Sequence, residues 1–274
     1  MRTRFLALAL TALIAVGCSD QPLPTAAPTD AGSGFTPSLS IQSQFGQHDV
    51  SDQYLVLLKG KGVPSVFSDE VARLGGTVLF SHPIGFAVVN GLSDVAATTL
   101  GRNRHVNEIQ QDELFDLDPM YDEASITAVT ATPASSTDPT TAVVFNRQWN
   151  MRAIAADAAW ASGRLGSSAV TVAILDTGID YLHPDLAGRV DLSRSVSFVD
   201  FDDFLVGLFF PTRHLITDLN FHGTHVSSIA ASNSIFFAGV TTQTTLIGVK
   251  VCDVNGSCPF SGVISGVLHA ADNG

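Results

Sequence analysis

A nearly continuous apolar run, Val170 to Leu175, limits the fold of this chain more than any other segment. Alternating apolar and polar residues would indicate a half-buried strand, whereas an uninterrupted run of this length indicates burial on both faces. Such strands belong to parallel sheets covered by helices. Further strands are expected at Ser195–Val199 and Thr245–Val251, and helices at Ala153–Trp160 and Ser261–Ala271. The later half of the chain is therefore predicted to be α/β.

An earlier segment, residues 52–115, carries a different pattern. The expected strands are Tyr54–Leu58, Thr77–Phe80, Phe86–Val89 and His105–Ile109, and the expected helices are Val63–Leu74 and one capped by Ser93. The order β-α-β-β-α-β is typical of small α+β domains with a ferredoxin-like fold. Many unrelated proteins share that order, so an unrelated α+β domain is the alternative.

The first 18 residues have the pattern of an export signal. A basic start is followed by an apolar run from Phe5 to Val16, which is 12 residues long and shorter than the ~20 that a membrane-spanning helix needs. A short core helix is the alternative. Ala15-Val16-Gly17-Cys18 resembles the lipobox of bacterial lipoproteins, which makes Cys18 a candidate lipidation site. Residues 19–51 are expected to be a flexible tether. The predicted location is outside a bacterial cell, as a cell-envelope lipoprotein or a secreted protein.

Charge and cysteine content narrow the partners. The formal net charge of −12 and the lack of a Lys/Arg cluster argue against nucleic acid, and they leave a lipid anchor as the only expected link to a membrane. Apart from Cys18, the cysteines are Cys252 and Cys258. In an oxidising compartment these two predict a disulfide, with two unlinked thiols as the alternative.

Two segments carry residues suited to nucleophilic catalysis. Asp176 directly follows the buried strand, at the edge where parallel sheets gather functional groups, and His222 opens a helical segment, His222-Gly223-Thr224-His225-Val226. A serine hydroxyl becomes a good nucleophile when an imidazole removes its proton and a carboxylate orients that imidazole. Asp176 could instead cap a turn, and the spacing of His222 and His225 is also that of metal ligands.

These segments are similar to the motifs of the subtilisin-like serine peptidases, the subtilases. The similarity lies in Val172-Ala173-Ile174-Leu175-Asp176-Thr177-Gly178-Ile179-Asp180, in His183-Pro184-Asp185-Leu186, in the His222 segment, and in Gly248-Val249-Lys250-Val251 with Gly256-Ser257. The resemblance covers roughly residues 52–274 and has the order Asp before His that subtilisin shows. It implies an incomplete subtilisin-like parallel sheet with flanking helices at 145–274, a propeptide at 52–115 that assists folding and blocks the cleft, and a linker at 116–144.

The resemblance also implies roles for individual residues. Asp176 would orient His222, which would act as general base and then general acid. Gly256, Ser257 and Phe260 would line the cleft and accept an extended polypeptide substrate by strand addition. Asp185 and Asn233 lie where the family holds a structural calcium ion, whose preferred ligands are oxygen atoms. No cofactor is expected for the chemistry.

The chain departs from the family pattern at several positions. Phe221 stands where Gly usually precedes the His, Ser227-Ser228 replace Ala-Gly, and Thr241-Thr242 replace Ala-Pro. The 46 positions from Asp176 to His222 exceed the roughly 32 of the type member, which predicts an insertion between Asp200 and Leu219.

A segment with the pattern Gly-Thr-Ser-X-Ala, which carries the family's nucleophile, does not occur in the 274 residues. The expectation is a serine endopeptidase precursor represented here by its N-terminal portion, inactive as given because the catalytic Ser is absent. The alternative is a non-catalytic inhibitor or chaperone of another subtilase.

Overall fold

The computed structural model describes residues 49–117 and 137–274, so the predicted export signal, Cys18 and most of the linker lie outside the described residues. Seven of the described elements belong to the first part of the chain. They are β1 (Tyr54–Leu58), α1 (Ser65–Arg73), β2 (Thr77–His82), β3 (Phe86–Asn90), α2 (Asp94–Gly101), β4 (Val106–Gln111) and β5 (Leu114–Asp116).

Strands β1 to β4 form one antiparallel sheet in the order β2-β3-β1-β4. That order confirms the ferredoxin-like prediction for this part. Its core joins Val56 and Val89 of the sheet to Phe67 and Val71 of α1 and Leu100 of α2. The Ser93 hydroxyl accepts a hydrogen bond from the Ala96 amide at 3.3 Å, as expected of a helix cap.

The described residues 137–274 begin with two short 3-10 turns, at Pro139–Thr141 and Phe145–Arg147. Nine helices and strands follow: α3 (Trp149–Ala153), α4 (Ala156–Ala161), β6 (Thr171–Asp176), β7 (Val196–Ser197), α5 (Asp200–Phe209), α6 (His222–Ala231), β8 (Thr245–Lys250), β9 (Ser257–Pro259) and α7 (Phe260–Asn273).

Strands β6, β8 and β7 form a parallel sheet in the order β6-β8-β7, and helices cover both of its faces. Ile174 points to the side where α6 contributes Val226 and Ala230. The neighbouring residue, Leu175, points to the opposite side, where α7 contributes Val263. The run from Val172 to Leu175 is therefore covered on both faces, whereas Val170 at its start is 53% exposed. The predicted α/β fold with a parallel sheet and flanking helices is confirmed.

The single helix predicted at Ala153–Trp160 is wrong, because Ala155 has a left-handed backbone (φ 54°) that separates α3 from α4. Met151 and Trp160 both enter one core cluster. On a continuous helix these two residues, nine positions apart, would lie on opposite faces, since each residue turns the helix by about 100°. The break lets both side chains be buried together.

The predicted insertion between Asp200 and Leu219 contains the helix α5 rather than only loop. Asp200, Asp202 and Asp203 lie in its first turn, where negative charge opposes the helix dipole favourably. Leu205 and Val206 bury its inner face. None of the helices within the described ranges is long and apolar enough to span a membrane.

A buried ion pair attaches α5 to the end of β8. Lys250 and Asp202 are both fully buried, and the ammonium Nζ lies 3.1 Å from Asp202 Oδ2. Nζ also donates to the Thr217 carbonyl at 2.6 Å, and Asp202 Oδ1 accepts from the Val254 amide at 3.0 Å. Burial raises the pKa of the Asp202 carboxyl, and the charge of Lys250 opposes that rise.

We expect Lys250→Ala to lower the free energy of unfolding by about 3–5 kcal/mol, because it leaves the Asp202 carboxylate buried without its counter-charge. Arg213→Ala is the control, since the Arg213–Asp180 pair (3.3 Å) is partly exposed and is expected to contribute about 1 kcal/mol or less. Urea denaturation of both variants measures the difference. Equal destabilisation by the two changes would contradict the buried pair.

A disulfide joins Cys252 to Cys258 across a separation of six residues. Closing a loop of this size is expected to contribute about 2 kcal/mol by restricting the unfolded chain. Intact-mass measurement of the native chain should therefore show two hydrogen atoms fewer than after reduction, and reductant should lower the melting temperature. The double variant Cys252→Ser/Cys258→Ser should melt at the same temperature with and without reductant.

Candidate active site

Asp176 is the last residue of β6, and its side chain is almost completely buried. Its backbone oxygen accepts from the Val251 and Cys252 amides at 2.9 and 3.2 Å. Its carboxylate Oδ1 accepts from the Thr177 amide at 2.7 Å. These bonds fix the carboxylate at the carboxyl edge of the parallel sheet, where functional groups of such sheets gather.

His222 is the first residue of α6, and its Nδ1 lies 2.8 Å from each of the two Asp176 carboxylate oxygens. A neutral ring in this position carries its proton on Nδ1 and donates it to the carboxylate. Nε2 then presents a lone pair, and it has no hydrogen-bond partner within the described parts of the chain. The His222 side chain is 25% exposed, so the ring has access to solvent.

Two glycines allow the end of β6 and the start of α6 to meet. A Cβ atom on Gly223 would collide with the Gly178 carbonyl oxygen and would lie 3.1 Å from the Asp176 Cβ. Gly178 itself has a φ of 116°, which L-residues with side chains rarely adopt. Both glycines are therefore required for the short distance between Asp176 and His222.

Phe221, which directly precedes His222, has a left-handed backbone with a φ of 86°. This conformation is unfavourable for an aromatic residue and natural for the Gly that the resemblance expects there. The neighbouring bonds hold the strained residue in place, which is a common condition next to functional groups.

His225 lies one turn further along α6. Burial lowers its pKa, and the nearby His222 lowers it further. Among the residues that the structure describes, no three His, Cys, Asp or Glu side chains converge as metal ligands would. The alternative in which His222 and His225 bind a metal therefore lacks a third ligand there.

Gly256, Ser257 and Phe260 lie together beside a strand from the first part of the chain. Strand β9 pairs antiparallel with β5, with Phe115 opposite Cys258. The Leu117 amide donates to the Gly256 carbonyl at 2.9 Å, and the Ser257 hydroxyl donates to the Asp116 carboxylate. The ring centroids of Phe260 and Phe115 are 5.4 Å apart. The three residues thus border an edge that already receives an extended segment.

Asp185 and Asn233 lie near each other, but their oxygens face hydrogen-bond donors. The Asp185 carboxylate accepts from the amides of Ile235, Phe236 and Phe237 at 2.8–3.3 Å. Asn233 Oδ1 accepts from the Arg189 guanidinium at 2.7 Å. Calcium requires about six to eight oxygen ligands and repels a guanidinium. In this arrangement the two residues do not fit a calcium ion.

Sequence reasoning missed two carboxylates, one at the start of α7 and one at the start of α6. Asp112 Oδ1 accepts from the Ser261 amide at 3.1 Å at the start of α7, and Oδ2 accepts from Gln53 Nε2 at 2.7 Å. Asp218 accepts hydrogen bonds from Thr177 and from the first turn of α6. The one sequence signal for Asp218 is its place four residues before His222. For Asp112 the sequence carries none, because its partners are far away in the chain.

Parts of this chain are similar to known proteins. Residues 167–274 match the model of the Subtilase family. The "Thermophilic serine proteinase" of Bacillus sp. (strain AK1) is 39% identical over 112 residues, which are 40% of this chain and 25% of that protein. "Alkaline elastase YaB" of Bacillus sp. (strain YaB) is 30% identical over 223 residues, which are 76% of this chain and 54% of that protein.

A solved structure, the epidermin leader peptide processing serine protease (EpiP) from Staphylococcus aureus, has the same fold with a TM-score of 0.56. The likeness covers 81% of this chain and 47% of that one, at 20% identity. The chain spans between about a quarter and about half of the length of the curated relatives described above. Over residues 167–274, the chain is thus similar to the subtilase family of serine peptidases.

Proposed function

We propose that this chain carries the Asp–His half of a serine endopeptidase, together with the domain that occupies its cleft. The observation that carries the proposal is the contact between His222 Nδ1 and both oxygens of Asp176, 2.8 Å each. A buried carboxylate on one ring nitrogen leaves the other nitrogen as a base. The motif that carries the family's nucleophilic Ser does not occur in these 274 residues.

In the proposed reaction, His222 Nε2 takes the proton of the serine hydroxyl as that oxygen attacks a peptide carbonyl. The imidazolium that forms is stabilised by Asp176, whose position at the end of β6 needs no rearrangement during the step. His222 then gives the proton to the leaving amine. No metal takes part in these steps.

We propose that a polypeptide substrate binds along β9 as an added antiparallel strand. Support comes from Leu114–Asp116, which lies along this edge in register with Ser257–Pro259. Main-chain hydrogen bonds then supply affinity for any sequence, and neighbouring side chains supply selectivity. Residues 114–116 would exclude a substrate from this edge, which supports an inhibitory role for the first domain.

Further contacts hold the first domain against the second. Asp112 and Gln53 reach Ser261 at the start of α7, and Gln53 Nε2 donates to the Ser261 hydroxyl at 2.7 Å. His82 Nε2 lies 2.8 Å from Asp272 Oδ2 near the other end of α7. A carboxylate at a helix start stabilises the helix through its free amides and its dipole. These contacts support a role for the first domain in assisting the folding of the second.

We also propose export from a bacterial cell, with Cys18 as a lipidation site. The basic start and the short apolar run support export, and the Cys252–Cys258 disulfide is suited to an oxidising compartment.

The 274-residue chain alone is expected to hydrolyse no peptide, since loss of the serine nucleophile lowers turnover by a factor on the order of 10⁶. A fluorogenic peptide assay measures this, and His222→Ala defines the background. A longer product of the same coding region that includes the serine motif should hydrolyse the peptide, and His222→Ala should abolish that hydrolysis. Activity of the 274-residue chain that His222→Ala removes would contradict the proposal, as would an inactive longer product.

Asp112→Ala is expected to loosen β5 from β9, because it removes the cap on α7 and the partner of Gln53. Hydrogen–deuterium exchange at Phe115 and Leu117 should accelerate about tenfold, the effect of losing roughly one hydrogen bond to a charged group. Asp94→Ala is the control, because its bond to the Tyr54 hydroxyl lies within the first domain. Unchanged exchange at Phe115 in Asp112→Ala would show that the cap does not hold the strand.

A further inference from the structure

The carboxylate of Asp218 connects the start of α6 with the end of β6. Its Oδ1 accepts from the Thr177 hydroxyl at 2.9 Å and from the amides of Asn220 and Phe221 at 2.9 and 3.0 Å. Its Oδ2 accepts from the Thr224 amide at 2.9 Å and the Thr224 hydroxyl at 2.5 Å. Five donors thus converge on one partly buried carboxylate.

Two of these donors continue the connection to both reacting side chains. The Thr177 hydroxyl, one residue after Asp176, also accepts from the amide of Gly223, one residue after His222, at 3.0 Å. The Thr224 hydroxyl also accepts from the Asp180 amide at 2.9 Å in the loop after β6. Neither reacting side chain touches Asp218 directly.

The same carboxylate opposes the strain at Phe221. Its φ of 86° is unfavourable for an aromatic residue, and the Asp218 bond to its amide is one of the contacts that stabilise it. Because Phe221 is bonded to His222 along the backbone, relaxation of this residue would rotate the start of α6. A displacement of a fraction of an ångström is enough to misalign a hydrogen bond that depends on direction.

We propose that Asp218 is a positioning residue that sets the distance and orientation between Asp176 and His222. The inference rests on the proposed function, in which these two side chains act together. This role of Asp218 differs from that of an ordinary helix cap, because a cap would stabilise α6 without the bond between Asp218 and Thr177. A positioning role requires both the bonds to α6 and the bond to Thr177.

The test is proton NMR of the full 274-residue chain, which does not depend on catalytic activity. The His222 Nδ1 proton, bonded to Asp176, should give a downfield resonance that Asp176→Asn removes. In Asp218→Ala its exchange with water should accelerate at least about tenfold, as expected for loss of a hydrogen bond to a charged group. Asp218→Asn keeps one acceptor oxygen, so the exchange rate of this proton should lie between those of the wild type and Asp218→Ala.

Thr177→Val removes the link from Asp218 to β6 together with the Gly223 bond, and it leaves the Asp218 bonds to Phe221 and Thr224 in place. It therefore decides the matter if Asp218→Ala fails to fold. The positioning role predicts accelerated exchange in this variant as well. Asp191→Ala is the matched control, because Asp191 also accepts several local bonds, from Ser193 and Arg194. Its exchange rate at His222 should equal that of the wild type.

Wild-type exchange in Thr177→Val, or in a folded Asp218→Ala, would overturn the inference and leave the proposed function intact. Acceleration in Asp191→Ala to the same degree would also overturn it, since the effect would then be general loosening. If the wild type lacks the downfield resonance, or if Asp176→Asn retains it, the proposed Asp–His pair itself fails, and this inference fails with it.

Discussion

The parallel pairing of β6 with β8 is the interaction on which both the core and the candidate site depend. Its register places Asp176 opposite Lys250, so that two charged residues end neighbouring strands. Asp176 turns to His222, and Lys250 turns to Asp202 on α5. Both α6 and the inserted helix are thereby fixed to the same edge of the sheet. A shift of β8 by one residue against β6 would turn the Lys250 side chain to the opposite face of the sheet, away from Asp202.

The sequence was sufficient to predict the parts that depend on local patterns. The strand β6, the Asp at its end and the His at a helix start each follow from a few adjacent residues, and so do strands β1 to β4 and the two helices of the first domain. The break at Ala155 was not predictable in this way, because it depends on Met151 and Trp160 sharing one core cluster. Helix α5 is not among the expected helices, although the sequence carries its acidic first turn and its apolar spacing.

The candidate site shows the same division between local and distant causes. The pairing of β5 with β9 joins segments about 140 residues apart, and three-residue strands have too little periodicity to be recognised. Asp185 and Asn233 are expected from the resemblance to hold a calcium ion, yet their oxygens are used by backbone amides and by Arg189. Residue type alone did not distinguish an acceptor that needs a cation from one already supplied with donors.

The strand at 114–116 and the β9 edge that it covers belong to the same polypeptide. Segments joined in one chain meet at an effective concentration on the order of millimolar, so even weak pairing keeps the edge covered. If the chain were cut between its two parts, the same pairing would depend on the concentration of the separated piece. In dilute solution that piece would then dissociate, and release would follow from dilution without any change in the contacts themselves.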